Sequence, residues 1–408
     1  MLKLPSNNTS YWRRNESKPV YPQLEKDLEI DVAIVGAGIA GLSCAYLLKQ
    51  SNLSVAVLEK DTVGHGTTGH TTGKVTSQHS LIYDDLKKHS GEKAARLYGE
   101  ANQAGLEQIG KIIQEANIDC GWQREDNYVF TDDATQVKQF RREVETAAKL
   151  GLPATFTTDL PLPFTVKAAI KFSDQAKIDA QQYLLGLAAA VNGHGSHVYE
   201  QSRVIGIRDG EPGRVKTKAA KVTAKNIIVA TNVPSLPLVA RGAYCALEYP
   251  QTSYIVAGRP KNKISGMYIS PDKHHYSILP VSDDQGPMLL IGGENHITAA
   301  KYNSKTRYQR LAAYAQEHFG VSKTDYAWKA RDYMAYDDLP LVGKVYPWSK
   351  HLYTATAFHK WGLTNGTAAA MILTDLINGQ ATPWAATFNP QRTSPIKAIP
   401  RVIARYIG

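Results

Sequence analysis

The sequence predicts an α/β protein of two domains, one of them built on a parallel β-sheet. Three observations lead to this prediction. The chain has 408 residues, more than one ordinary hydrophobic core accommodates. Near its start a strand, a glycine-rich turn, a helix and a second strand follow one another, which is the order of a βαβ unit. Residues 243–293 contain a succession of β-like segments, which indicate a second sheet.

Composition limits the function classes. A hydrophobic fraction of 43% and a charged fraction of 21% fit a soluble globular enzyme, and no apolar stretch is long enough to span a bilayer. The first thirty residues lack the apolar segment of a secretory signal. Three cysteines without metal-like spacing indicate a reducing cytoplasm and no metal site. The net charge of +10 permits an anionic partner, but no aromatic-rich basic cluster supports nucleic acid.

The βαβ unit is complete enough to predict a dinucleotide site. A buried strand ending at Val35 leads into Gly36-Ala37-Gly38-Ile39-Ala40-Gly41, and a second strand ends at Glu59. Gly36 allows the tight turn, Gly38 lets the backbone approach a pyrophosphate, and Gly41 lets helix and strand pack closely. The amides at the helix start, including those of Ile39 and Ala40, would face the phosphates, and Glu59 would accept the ribose hydroxyls. The alternative is a glycine-rich turn that binds no ligand.

The segment after Glu59 favours FAD over NAD. It reads KDTVGHGTTGHTTGKVTSQH and has neither a helical nor a strand period. An NAD enzyme would normally continue straight into its next helix. Hydroxyls and free amides here suit a long ligand lying across the loop, so we expect contacts from Lys60, Thr67, Thr68, His70, Thr71 and Thr72.

Further along, the chain resembles the D-amino-acid oxidase superfamily of FAD-dependent oxidoreductases. The resemblance spans residues 30 to 390 and consists of elements in the family order. These are DVAIVGAGIAGLS, the GTTGHTTGKV loop, the strand Ile227 to Asn232, the segment Asp337 to Gly343, and the stretch Leu352 to Gly366. Ala357 and Asn232 stand where members often have glycine, which suggests altered backbone geometry rather than a lost cofactor.

The resemblance implies a discontinuous layout. The FAD-binding domain, Rossmann-like, would comprise 28–85, 170–235 and 335–390, and a substrate domain with a mixed or antiparallel sheet would comprise 86–169 and 236–334. Residues 1–27 would form an N-terminal extension and 391–408 a basic tail. The flavin would lie between the two domains. Helical periodicity predicts helices over 83–118, 135–150, 178–191, 305–319 and 364–378.

The resemblance also assigns cofactor contacts at the other end of the chain. Val204 and Thr231 are counted with the FAD-binding set. Gly362, Leu363, Thr364 and Asn365 would direct a helix start at the flavin and stabilise its reduced form; an ordinary helix cap by Thr364 is the alternative. His70 matches a loop histidine that is covalently bonded to flavin in one branch, or it only forms hydrogen bonds or faces solvent.

The implied reaction is oxidation of a C–N bond in an amino acid or secondary amine by hydride transfer to flavin N5. Arg331, in Trp328-Lys329-Ala330-Arg331, resembles an arginine that holds the substrate carboxylate, unless it only pairs with Asp332 or Asp337. Further candidates near the flavin or substrate are Tyr254, Tyr276, His274, His275, His359 and Lys360. Lys360 would activate oxygen or lie at the surface. No side chain needs to act as a strong base.

The partners are less defined by the sequence. The stretch around Gly362 is similar to a bacterial subgroup that usually carries a C-terminal Rieske domain, but no cysteine follows Cys245 to bind its cluster. The tail from Gln391 is either a peripheral membrane anchor or docking segment for an electron acceptor, or a linker packed on the surface. Rival functions are a dehydrogenase passing electrons to an iron–sulfur or quinone partner, an RNA-modifying flavoprotein, and a non-catalytic flavin-binding protein.

Overall fold

A computed structural model describes residues 5, 9–14, 20–232, 236–298 and 303–407. In this part of the chain two β-sheets lie within one α/β molecule. The strands are β1 Leu28–Val35, β2 Val55–Leu58, β3 Lys74–Val75, β4 Gln123–Thr131, β5 Ala154–Thr157, β6 Ala168–Lys177, β7 His197–Tyr199, β8 Gly206–Arg208, β9 Gly213–Lys216, β10 Lys221–Val229, β11 Glu248–Gly258, β12 Met267–Ile269, β13 Ser277–Asp283, β14 Gly286–Ile297, β15 Tyr326–Ala335, β16 Leu341–Lys344 and β17 Leu352–Thr356.

Helices cover the sheets and connect their strands. They are α1 Ile39–Gln50, α2 Tyr83–Ser90, α3 Glu92–Glu115, α4 Val137–Lys149, α5 Ala180–Val191, α6 Leu238–Leu247, α7 Ser304–Phe319, α8 Gly362–Ile377, α9 Ala385–Phe388 and α10 Ser394–Ile407. None of the described helices is long and apolar enough to cross a membrane.

The first sheet has the parallel core that the βαβ unit predicts. Its order is β16-β17-β10-β1-β2-β7, and the strands from β17 to β7 run parallel. β16 joins one edge antiparallel, and β8 and β9 form an antiparallel extension of β10. All four residues of β2 are buried, as expected for a strand covered on both faces. The predicted α/β class with a Rossmann-like domain is confirmed.

The second sheet is mixed but mainly antiparallel. Its order is β15-β11-β14-β13-β12-β4-β6-β3, with β5 on β6. Only the pair β12 and β4 runs parallel within the described part of this sheet. A bulge between Thr252 and Tyr254 shifts the register of β11 against β14. The mixed sheet expected for the substrate domain is therefore present.

The predicted helix over 83–118 is two helices. Gly91 separates α2 from α3 and has a φ of +87°, a conformation that interrupts a continuous helix. A regular apolar spacing continues on both sides, which is why the sequence pattern alone suggested one element.

The boundaries proposed for the two domains remain a prediction. β6, over 168–177, pairs with strands of the second sheet, so a division by sheets would begin the middle segment of the first domain after Lys177 rather than at 170. The predicted basic tail begins with a packed residue: Arg392 forms a buried ion pair with Asp337, and α10 follows it. Predictions about residues 1–4, 6–8 and 15–19 of the N-terminal extension lie outside the described residues.

Candidate active site

A single large cavity of about 1070 Å³ contains both ends of the predicted cofactor site. The glycine-rich turn after β1 and the end of β2 line it on one side. The start of α8 and the face of the second sheet line it on the other. Ordinary small-molecule sites occupy roughly 300–1,000 Å³, so this cavity has room for a dinucleotide and a small second molecule.

The glycine turn has the tight geometry that its sequence predicts. Gly36 has a φ of +107°, and a Cβ atom there would lie 2.9 Å from the carbonyl oxygen of Ala230. A Cβ atom on Gly41 would lie only 2.0 Å from the carbonyl oxygen of Gly36. Gly38 precedes α1 and provides no side-chain cap, so the positive end of that helix faces the cavity. Gly36, Gly38, Ile39 and Ala40 line the wall, and Gly41 supports them from behind.

Glu59 is fixed by the turn that it was predicted to serve. Its two carboxylate oxygens accept backbone N–H bonds from Ala37, at 2.9 Å, and from Asp61, at 3.0 Å. A carboxylate offers more lone pairs than these two bonds use, so it can still accept ribose hydroxyls. Lys60 also lines the cavity, although its side chain is exposed and lies 3.2 Å from Asp61.

The threonine-rich loop connects the first sheet to the second across the cavity. Thr68 Oγ1 accepts the backbone N–H of Ile39 at 3.2 Å, at the start of α1. Thr67 Oγ1 donates to the carbonyl oxygen of Arg331 at 2.8 Å. The Nδ1 atom of His70 lies 2.8 Å from the carbonyl oxygen of Gly66, and burial lowers the pKa of this histidine. The loop residues that line the cavity are Thr67, Thr68, His70, Thr71 and Thr72.

The start of α8 forms the opposite end. Gly362 and Leu363 lie in the cavity wall, whereas Thr364 and Asn365 are buried behind them. Val204 and Thr231 also line the cavity. Like α1, α8 has no side-chain cap at its start, so a second helix N-terminus is directed at the same space.

A buried histidine that the sequence did not single out holds this helix start. His79 Nε2 lies 2.8 Å from the carbonyl oxygen of Thr76, so Nε2 donates and Nδ1 accepts from the Tyr98 hydroxyl. Asn365 Nδ2 donates to the same tyrosine oxygen, and the His79 ring stacks on Trp361. Burial lowers the pKa of His79 to about 3, which keeps the ring neutral. The partners of His79 come from three separate segments, so no local sequence pattern could have revealed this hydrogen-bond network.

Two polar atoms in the wall have no partner within the described residues. They are the Oγ atom of Ser253 and the Nε2 atom of His359, both inaccessible to solvent. Buried polar atoms are normally hydrogen-bonded, so these two fit contacts to a bound molecule. Together with the glycine turn, Glu59 and the two helix starts, the residues present fit FAD.

The wall formed by β15 differs from the sequence prediction by one residue. Ala330 and Asp332 line the cavity, and the intervening Arg331 is exposed on the other face of the strand. Arg331 therefore does not line the cavity, and neither Asp332 nor Asp337 is its ion-pair partner in the described residues. Burial raises the pKa of Asp332 to about 6, although the charge of Lys360 opposes this rise.

The turn before α8 directs two candidates into the cavity. Ala357, His359 and Lys360 all have positive φ values, of 61°, 53° and 68°, which non-glycine residues rarely adopt. Ala357 thus adopts a left-handed conformation although it is not a glycine. Burial lowers the pKa of Lys360 to about 8, despite the opposing charge of Asp332. Lys360 is part of the cavity wall rather than a surface residue.

The tyrosine candidates do not reach the cavity. Tyr254 forms hydrogen bonds with His296 and Ser304. Tyr276 stacks on Tyr314 with ring centroids 3.7 Å apart. Both side chains therefore have packing roles, because neither belongs to the residues lining the cavity. Of the remaining two histidine candidates, His275 lies at the cavity wall, and His274 instead pairs with Glu294 at 2.6 Å.

Comparison with known proteins identifies the family. The family model described as DAO, FAD dependent oxidoreductase, matches residues 31–376. The chain belongs to this DAO family. A protein of Bacillus subtilis (strain 168) named "Putative Rieske 2Fe-2S iron-sulfur protein YhfW" is 33% identical over 397 residues, covering 97% of this chain and 78% of that protein. Gamma-glutamylputrescine oxidoreductase of Escherichia coli (strain K12) is 24% identical over 403 residues, covering 95% and 92%.

The fold agrees with a solved DAO-family structure. Glycine oxidase from Geobacillus kaustophilus superimposes with a TM-score of 0.75 at 20% identity, over 90% of this chain and 99% of that one. The DAO-family chain is thus an FAD-dependent oxidoreductase related to amino-acid and amine oxidising enzymes. Within the described residues, no group of three or more His, Cys, Asp or Glu side chains could hold a metal ion.

Proposed function

We propose that this DAO-family protein oxidises a C–N bond of an amine or amino acid. The observation that carries the proposal is the continuity of the cavity. The glycine turn and Glu59 lie in the same wall as Asp332 and Lys360, so a molecule at the second sheet would share the space with the cofactor. When bound, FAD would supply the acceptor for the hydride that leaves the carbon next to nitrogen.

The cofactor would be held by groups from both ends of the chain. Gly36 to Gly41 and Glu59 would bind the diphosphate and ribose portion. The start of α8, from Gly362 to Asn365, would face the flavin, with His79 and Tyr98 fixing its position from behind. The Oγ atom of Ser253 and the Nε2 atom of His359 remain available for contacts in the same space.

Asp332 would receive the nitrogen end of the substrate. Its carboxylate is ionised above a pKa of about 6, so at neutral pH it can accept N–H bonds from an ammonium group. A carboxylate with a pKa close to the working pH can also take up the proton that the ammonium must lose. Loss of a hydride and a proton converts the free amine to an imine, which water hydrolyses to a carbonyl compound and either ammonia, from a primary amine, or an amine, from a secondary one.

An anaerobic assay tests the proposal. FAD-loaded protein is mixed with a panel of amines and amino acids, and the absorbance of the oxidised flavin is followed. We expect at least one member to bleach the flavin. Dithionite serves as the control for reducibility. A flavin that dithionite bleaches but every amine and amino acid leaves oxidised would contradict the proposal and favour a non-catalytic flavin-binding role.

The mode of FAD attachment is a separate question. If Nδ1 of His70 donates to the carbonyl oxygen of Gly66, its Nε2 atom is the nitrogen available for a bond to flavin. Acid precipitation distinguishes the alternatives. We expect FAD to be released into the supernatant, whereas yellow colour that stays with the precipitate, and is lost in His70→Ala, would establish a covalent link.

A second candidate differs in the electron acceptor. The relative that is 33% identical carries "Rieske 2Fe-2S iron-sulfur protein" in its name, which favours transfer to an iron–sulfur partner over transfer to oxygen. Peroxide formed per substrate oxidised under air separates these routes. One equivalent supports an oxidase; little peroxide, with fast turnover once an artificial acceptor is added, supports a dehydrogenase.

A further inference from the structure

Lys74 is a buried lysine at the cavity that no sequence pattern indicated. It lies on β3, is 5% exposed and belongs to the cavity wall. Its Nζ atom donates to the carbonyl oxygen of Tyr268 at 3.0 Å and to the hydroxyl of Ser277 at 2.5 Å. β12 and β13 thus hold the ammonium group in place from the second sheet.

Both acceptors of Lys74 are uncharged. An ammonium group has three N–H donors, and the described residues provide two acceptors for them. Burial lowers the pKa of Lys74 to about 7, with no carboxylate opposing the shift. At this pKa both the neutral and the protonated amine are populated near neutral pH, and an anion that entered the cavity would stabilise the protonated form.

The position of Lys74 relative to Asp332 restricts that anion. Asp332 lies on β15 and Ser277 on β13, with β11 and β14 between them. Three inter-strand steps amount to about 14 Å. Asp332 lies opposite Gln251 of β11. Ser277 lies opposite Gly292 of β14, which in turn lies opposite Ile255 of β11. The distance along β11 from Gln251 to Ile255 adds an offset of about 13 Å. An α-amino acid carries its nitrogen and carboxylate on one carbon and cannot span this separation.

We propose that Lys74 binds the carboxylate of a substrate whose oxidised amine lies at the other end of a chain, near Asp332. The substrate class is therefore an ω-amino acid or a longer amine with a distal carboxylate. Gly292 of β14 lies between Ile255 and Ser277 on the neighbouring strands and lines the cavity. Because it has no side chain, it leaves space for a substrate chain between Asp332 and Lys74. The inference rests on the function proposed above and defines its substrate.

A chain-length series tests the inference on the wild-type protein. Glycine, β-alanine, γ-aminobutyrate, ε-aminocaproate and longer members, with their N-methyl derivatives, are compared as anaerobic reductants of the bound flavin. Each is matched with the alkylamine of equal length. We expect the second-order rate constant to increase with chain length for the amino acids and to exceed that of the matched alkylamine at the optimum.

Lys74→Met tests the assigned residue. Removing one partner of a buried charge pair usually weakens binding by about 30-fold or more, so we expect at least this loss for the preferred ω-amino acid. The matched alkylamine should be unaffected. Lys177→Met is the control, because Lys177 pairs with Lys74 across β3 and β6 but does not line the cavity. Hexanoate, a carboxylate without an amine, gives a readout independent of turnover. Its binding is measured from the change that it causes in the flavin spectrum.

The outcomes separate this inference from the proposed function. If α-amino acids or simple alkylamines reduce the flavin as fast as any ω-amino acid, the inference fails and amine oxidation stands. If Lys74→Met changes the flavin reduction potential but leaves hexanoate binding and the chain-length preference intact, Lys74 serves the cofactor and the inference again fails. If no amine reduces the flavin at all, the proposed function itself fails.

Discussion

At the scale of single residues, the direction of alternate side chains on β15 decides the chemistry of the cavity. Arg331 and Asp332 are adjacent in sequence, but only Asp332 lines the cavity. Successive residues of a strand point to opposite faces, so an offset of one residue exchanges a cation for an anion. The sequence predicted a carboxylate site at Arg331 because a motif resemblance does not determine the face on which each residue lies.

Substituting Asp332 and Arg331 in separate variants provides a matched test. We expect Asp332→Asn to lower the second-order rate constant of flavin reduction by the amine by about 100-fold, because a positioned acid–base group contributes at least that much. Arg331→Met should leave the rate unchanged, because its side chain is exposed away from the cavity. The reverse result, with Arg331→Met slow and Asp332→Asn normal, would restore the arginine assignment.

The pH profile of the same two proteins adds a second readout. Asp332 must be ionised to receive the ammonium group, and burial raises its pKa to about 6. The wild-type rate should therefore decrease below pH 6, in proportion to the ionised fraction of Asp332. This acid limb should be absent from Asp332→Asn. An acid limb that persists in the variant would have to come from another group.

Gly41 provides a test of the cofactor site. Its added Cβ would meet the carbonyl oxygen of Gly36 at 2.0 Å, a backbone atom that cannot move aside without opening the turn. We expect Gly41→Ala to be purified with little FAD and to unfold at a lower temperature, since overpacking typically costs about 1–3 kcal/mol. Gly242→Ala, in α6 with no atom within 4 Å of the added Cβ, is the control and should retain full FAD content. Full FAD occupancy in Gly41→Ala would contradict the assigned role.

The residues predicted for the nucleotide end line the cavity more consistently than those predicted for the substrate end. Gly36 and Glu59 belong to one continuous βαβ unit, so local spacing was sufficient to assign them. Lys74 lies in a polar threonine-rich segment, and its hydrogen-bond acceptors, Tyr268 and Ser277, lie roughly two hundred residues away in sequence. Tyr254 and Tyr276 are of a residue type that is common in active sites, but here they pack against other side chains. Such long-range contacts leave no periodic signal.

At the scale of elements, the segment after α8 secures the turn between β15 and β16. Arg392 donates to both carboxylate oxygens of Asp337, at 2.7 and 2.8 Å, and to the carbonyl oxygen of Pro340. Burial alone would raise the pKa of Asp337, but Arg392 and Ser394 hold it below its usual value. Local sequence around Arg392 indicated only a basic tail, because the partner of this residue lies 55 residues earlier. This contact ties the end of the chain to the first sheet.

Breaking the ion pair should destabilise the fold. Removing one partner of a buried pair costs about 3–5 kcal/mol, because the remaining charge is left uncompensated. We therefore expect Asp337→Asn to decrease the free energy of unfolding by an amount of this order, measured by urea denaturation. Glu145→Gln, which breaks the exposed pair with Lys149, is the control and should cause no measurable change.

The pH dependence of the free energy of unfolding shows in which direction the Asp337–Arg392 pair contributes. Because the folded pKa of Asp337 is below its unfolded value of 3.8, its contribution to stability is present above that value. The contribution is lost as the pH falls through the lower, folded pKa. The difference in stability between wild type and Asp337→Asn should thus stay constant from neutral pH to about 4 and shrink only below it. A difference that already disappears near pH 6 would contradict the assignment.

At the scale of the whole molecule, the cavity exists because loops of the first sheet bind the edge of the second. Thr67 and Asn232 both donate to the carbonyl oxygen of Arg331, and Trp328 Nε1 donates to the carbonyl oxygen of His70. The family resemblance predicted that the cofactor would lie between two domains. It did not predict these contacts, because they join residues about 100 to 260 positions apart in sequence.

The central claim is that one cavity holds FAD and oxidises an amine in it. A single anaerobic turnover tests this most directly, with the carbonyl product quantified against the flavin bleached. We predict one equivalent of carbonyl compound for each equivalent of FAD bleached, and none from protein stripped of FAD. Bleaching without a carbonyl product, or the same product from the stripped protein, would contradict the account.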